Sequence, residues 1–219
     1  MVTSFSIEDM WNKYDAYAKI ANEMGQTTLS VVQASGLYFQ QGLEEAEALE
    51  LTASTMKLAT LAGLDFEQAT SLMTSAVRGF HMEMSEGEHV TDVYSELAAH
   101  AAASVNDIAT AMSRTAAIAS SAGMEFETTS AMLTTMIEAT QESPETLGTA
   151  MKTVTARFTE LKNNVSDTES EFEDLDYNKV DKALKSIGVA LKDTNGQFRD
   201  IDDVFLEVAQ KWDTLDRNS

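Results

Sequence analysis

The chain has 219 residues, 43% of them apolar, enough to bury a core within one or two domains. Its 36 acids against 15 bases give a formal charge of −21, which argues against direct nucleic-acid binding, because phosphate contacts need clustered Lys and Arg. The absence of cysteine excludes disulfide and thiol chemistry and fits a reducing compartment. No run approaches the roughly 20 apolar residues of a spanning helix, and the first residues lack the charged start and apolar run of a signal peptide.

One proline in the whole chain, with abundant Ala, Met, Glu and Lys, predicts helix nearly throughout, punctuated by glycine. Residues 1–50 read as N-terminal helices, and 51–163 as a helical core built of helix-corner-helix units. The first corner lies in AGLDFEQATSLM, Ala62 to Met73. Gly63 ends one helix, Asp65 and Gln68 have the spacing of a capping box for the next, and Phe66 opens it.

Sixty residues later AGMEFETTSAML, Ala122 to Leu133, repeats the phrase with Gly123 and Phe126 at the same places. Over 58–77 and 118–137 six positions are identical, and most others exchange like for like, as in Leu64/Met124 and Val77/Ile137. This reads as an internal duplication of one unit; convergence of helical corners on similar words is the alternative. The second copy has a poorer cap, with Glu125 and Thr128 in place of Asp65 and Gln68. Between the copies, Val90, Val93, Tyr94, Leu97 and Ala101 mark one helix, and after Ser104 the phase resets for Ile108, Met112 and Ile118.

The best specified helix start is SPETLGTAMKTVTARFTELK, where Ser143 can cap, Pro144 suits the first helical position and Glu145 complements the dipole. Gly148 stands inside this helix. Leu147, Met151, Val154, Phe158 and Leu161 recur at spacings of 4, 3, 4 and 3, an apolar seam two heptads long. Such a seam must meet another helix, either within a globular bundle or by self-association.

After Lys162 the character changes. Six acids and no base between Asp167 and Asp176 suggest an acidic linker over 164–178. In 179–219, Asn195-Gly196 is a strong turn dipeptide and predicts a small β-hairpin between two helices. Asp200 is placed to cap the last helix, whose apolar stripe is Val204, Phe205, Val208 and Trp212. The fold class expected is therefore all-α, a compact multi-helix bundle with a small hairpin near the C-terminus.

Catalysis finds little support. His81, His89 and His100, with Glu83, Glu86 and Glu88, lack the H-E-x-x-H spacing and any helical i, i+4 histidine pair, and the chain has no Gly-rich phosphate loop or G-x-S-x-G. No enzyme activity, cofactor or metal is expected, and polarity around Gly87 explains these residues.

The stretch AGMEFETTSAMLTTMIEATQESPETLGTAMKTVTARFTELK resembles the core region of tape measure proteins from long-tailed bacteriophages. The resemblance extends to LATLAGLDFEQATSLMTSAVRGFHM upstream and SIGVALKDTNGQFRDIDDVFLEVAQKWDTL downstream, covering roughly residues 52–215. It implies a segment of a longer structural protein that sits in the virion tail, is made in the host cytoplasm, sets tail length and leaves ahead of the DNA. Its implied partners are the tail tube protein, tail assembly chaperones and tail tip or baseplate proteins. The alternative is a non-enzymatic helical binding or regulatory module acting through the 147–161 seam. A ruler extends as helix by about 1.5 Å per residue, and glycine corners would spoil a rod, so this segment reads as a compact module.

Overall fold

The computed structural model describes residues 7–166 and 175–212, with side chains described for 14–162 and 179–211. Among these residues the chain forms helices α1 (Ile7–Glu23), α2 (Thr28–Gln40), α3 (Glu45–Ala62), α4 (Phe66–Gly79), α5 (Gly87–His100), α6 (Val105–Ser121), α7 (Phe126–Thr140), α8 (Pro144–Ser166), α9 (Leu175–Ser186) and α10 (Ile201–Trp212), with a 3-10 turn at Met84–Glu86. α3 runs unbroken across position 50, and the middle of the acidic stretch, 167–174, lies outside the described residues.

Helix starts follow local chemistry. Thr27 caps α2, Asp65 caps α4, and Ser104 forms a reciprocal box with Asp107 at α6. Ser143 accepts from the Thr146 N–H at 3.3 Å just before Pro144, where a missing N–H costs nothing.

α6 is the central helix, packed against α3, α4, α5, α7 and α8. Its neighbours approach closely because the meeting residues are small. A methyl group added at Gly148 of α8 would lie 2.2 Å from the Ala111 carbonyl oxygen, and one at Gly79 of α4 would lie 2.6 Å from Ala116 Cβ. Around this axis Leu51, Leu58, Met73, Tyr94, Ile108, Met112 and Leu133 form the fully buried main core. A smaller cluster, Tyr17, Ala21, Val31, Ala34 and Met56, binds α1 and α2 to α3, and Val189, Leu191 and Val204 form a third beneath α10.

The core is rich in hydroxyls. Ser35, Thr52, Thr70, Thr91, Thr129, Ser130 and Thr134 are buried, and each donates to the carbonyl four residues back in its own helix.

The expected β-hairpin does not form. The segment from Val189 to Asp200 holds a single isolated antiparallel bridge, Lys192 to Phe198, and the described residues contain no strand. Asn195-Gly196 does turn the chain, but Asp193 closes that turn with its side chain, accepting from the Asn195 and Gln197 N–H groups at 2.9 and 2.8 Å. α10 begins at Ile201, so the flanks are too short to build a ladder. Val204 and Val208 share a cluster with Leu184 of α9 and Ile187 just after it, while Phe205 meets Phe158 at the edge of the main core. The side chain of Trp212 lies outside the described residues.

Candidate functional site

The two corners share a backbone device. At the first, Gly63 is left-handed (φ 66°, ψ 33°) and the Leu64 N–H reaches the Ala59 carbonyl at 2.9 Å. At the second, Gly123 has φ 85° and the Met124 N–H reaches Ala119 at 3.0 Å, the same bond sixty residues on. One turn into the following helices, Thr70 donates to the Phe66 carbonyl at 2.7 Å and Ser130 to the Phe126 carbonyl at 2.8 Å.

The aromatic residues at the corners differ in depth. Phe126 is buried among Phe80, Tyr94 and His89, with ring centroids 5.4, 5.5 and 6.2 Å away. Phe66 is half-buried, edge-on to Tyr38 at 6.5 Å. Burial also pushes the Tyr38 hydroxyl up to about 12, although Thr55 hydrogen-bonds it. Tyr94 is pushed up further by complete burial, and its hydroxyl has no hydrogen-bond partner among the described residues.

The caps differ too, and here the sequence signal fell short. Asp65 accepts from the Gln68 N–H at 2.8 Å, but Glu125 makes no side-chain cap. Asp202 of α10 instead accepts the Glu125 N–H at 3.2 Å, doing from 77 residues away what an acid at position 128 would do in a capping box. Burial raises the Asp202 pKa above the ordinary aspartate value, partly countered by that backbone bond, and Glu125, Asp200 and Asp203 raise it further.

The seam is split by the packing of α8 on α6. Leu147 and Met151 are buried, Phe158 is half-buried against Phe205 at 6.5 Å, and Leu161 is half-buried. Val154 is 51% exposed. Its neighbour Thr155 is buried instead, with its hydroxyl 3.8 Å from the Met124 sulfur. The close approach at Gly148 sets the face of α8 that meets α6, and that face runs through Thr155.

Val154 lines an open groove of about 460 Å³ between α7, α8 and α10. Its α7 wall is the stripe Thr128, Ala131, Met132, Thr135 and Met136, at i, i+3, i+4, i+7 and i+8. Phe205, Leu206 and Ala209 form the α10 wall, with Leu206 48% exposed. On the far side of Ala131 a shallower apolar recess continues towards α5, lined by Val93 and Leu97 and rimmed by Asp92, Glu96 and Glu127.

The polar residues weighed as catalytic candidates scatter into separate local roles. Glu83 and Glu86 make a reciprocal cap on the 3-10 turn, Glu88 and Asp92 share Lys57, and His100 contacts Glu96. His89 meets Glu127 at 2.6 Å. The Glu127 carboxyl is held below the usual range, first by its own backbone N–H at the start of α7 and then by His89. Among the described residues no group of three or more His, Cys, Asp or Glu could hold a metal, and no helix is long and apolar enough to cross a membrane.

Corners, close helix crossings and an apolar groove define an all-helical packing protein. Residues 18–219 match the family described as phage-related minor tail protein, and the chain belongs to it, within the phage tail tape measure group. A protein similar to it is the tape measure protein of Pneumococcus phage Dp-1, 26% identical over 155 residues. That match covers 71% of this chain but 12% of the relative, so the chain spans a small part of the relative's length. No solved structure matches the chain.

Proposed function

We propose that this chain is a folded helical module of a tape measure protein, serving tail-length determination, tail assembly and DNA ejection in a phage or prophage-derived particle. The supporting observation is the family match over 18–219 combined with helices that turn back at glycine corners onto a shared core. A ruler made of this segment as straight helix would have no use for the central packing of α6. The module therefore hangs on the ruler rather than contributing its full contour length. Its partners are other tail proteins: the tube protein, the assembly chaperones and the tail tip or baseplate. The two corner units, 58–77 and 118–137, are copies of one ancestral unit, a reading supported by their matching bonds at Ala59/Leu64 and Ala119/Met124.

Deleting residues 52–142 in frame from the parent gene and measuring tail length by electron microscopy tests this reading. Unchanged length with impaired assembly or infectivity is expected. Shortening by about 140 Å, the length of the deleted residues as extended helix, would place the segment in the ruler itself.

A further inference from the structure

We infer that the groove between α7, α8 and α10 is a docking site for one amphipathic helix with basic flanks, supplied by another protein. The groove has the form that a fourth helix fills. Its three walls are helices, each contributes one alanine, Ala131, Ala150 and Ala209, and larger apolar residues stand between them. Small positions between larger ones make holes into which the ridges of a helix pack. The α7 stripe from Thr128 to Met136 runs about 12 Å, room for two to three turns of a partner. The polar residues of the lining are two threonines, Thr128 and Thr135, and Thr135 spends its hydroxyl on the Ala131 carbonyl at 2.9 Å. Such a surface has little with which to orient a small polar ligand.

Charge selects the partner. Beyond Ala131 the recess continues between Asp92, Glu96 and Glu127, and Asp202 and Asp203 stand one turn before Leu206 on α10. The bases nearby are outnumbered by acids: Lys57 is shared by Glu88 and Asp92, His89 meets Glu127, His100 contacts Glu96, Arg157, one turn after Val154, is bridged to Glu160 at 2.8 Å, and Lys152 stands beside Met151 on α8. Lys or Arg flanking an apolar stripe would face this rim favourably. A second copy of this chain, itself at −21, would bring acids against acids.

The test is a fluorescence-anisotropy titration of the purified chain at about 0.15 M salt. Three synthetic peptides of about 18 residues, five helical turns, are compared. The first has leucines at i, i+3, i+4 and i+7 flanked by lysine and arginine; the second replaces those bases by glutamate; the third is the first with its order shuffled. The first is expected to bind at least about tenfold tighter than the other two. Leu206→Glu should weaken it at least about tenfold, with helicity and melting unchanged. Val154→Glu, on the opposite wall, serves as the second variant should the first not fold. Equal binding of the shuffled peptide would reduce the effect to bulk charge and overturn the inference, as would full affinity in both variants. A dimer in sedimentation equilibrium that Leu206→Glu abolishes would assign the groove to a second copy and overturn it likewise.

Discussion

The crossing of α8 over α6 makes one substitution diagnostic, Gly148→Ala. The added methyl would sit 2.2 Å from the Ala111 carbonyl oxygen, 2.9 Å from the Ala111 carbonyl carbon and 2.9 Å from Arg114 Cβ. A carbon–oxygen contact needs about 3.3 Å, so α8 must retreat by about 1 Å, and the obstacle is backbone that cannot rotate away. A gap of that size forfeits a quarter to a half of each dispersion contact made by the neighbouring Leu147 and Met151. Overpacking of this kind costs about 3 kcal/mol at its upper end, and alanine's better helix propensity returns about 1 kcal/mol. The net loss of about 2 kcal/mol corresponds to a fall in Tm of roughly 4–8 °C. Gly36→Ala is the matched control, because Gly36 also lies inside a helix, α2, but an added methyl meets nothing within 4 Å. It should stabilise by about 0.5–1 kcal/mol. Thermal melts followed by far-UV circular dichroism compare the two directly, and a Gly148→Ala chain that melts at or above the parent would refute the reasoning about the crossing.

The corners predict an asymmetry: Phe126→Ala, at a buried ring, should cost about 3–5 kcal/mol in urea unfolding, and Phe66→Ala, at a half-buried one, clearly less. Along α8, Leu147→Ala should cost about 2–5 kcal/mol, whereas Val154→Ser should stay within about 0.5 kcal/mol of the parent. Asp202→Asn keeps an acceptor for the Glu125 N–H and removes a charge that burial disfavours, so it should melt above the parent at neutral pH. The folded carboxyl holds its proton more tightly than the unfolded one. Its favourable contribution is therefore present below the ordinary aspartate value and lost as pH rises through the raised one. The advantage of the asparagine variant should accordingly shrink as melts are taken towards about pH 4. Small-angle scattering of the purified chain should give a radius of gyration of about 17 Å, and a rod-like profile would contradict the packed bundle.

What could be read from residue order alone was the local chemistry. Gly63 and Gly123, Ser143-Pro144 and Ser104 act within a turn of themselves, and the structure uses them where they stand. What could not be read was set by partners far along the chain. Val154 fits the 4-3 spacing of the seam, yet Gly148 lets α8 come so near Ala111 that the buried face rotates onto Thr155, a residue no hydropathy pattern selects. The poorer capping pair Glu125 and Thr128 was visible, but the help it receives from Asp202 was not, because 77 residues separate Asp202 from Glu125. The Asn195-Gly196 hairpin failed for the converse reason. The local turn signal was sound, and the nearness of α10 left no length for strands. The apolar groove has no signature in the sequence because its walls come from three helices, each ordinary by itself.

The buried hydroxyls bear on how such a bundle comes apart. Because Thr129, Ser130 and Thr134 donate to carbonyls four residues back, separating α7 from its neighbours strands none of these donors. Drawing α7 away forfeits dispersion and apolar burial and leaves those hydroxyl bonds intact. The α2–α3 contact differs, because the hydroxyl pairs Ser35–Thr52 and Tyr38–Thr55 reach across it and must break together when those helices part.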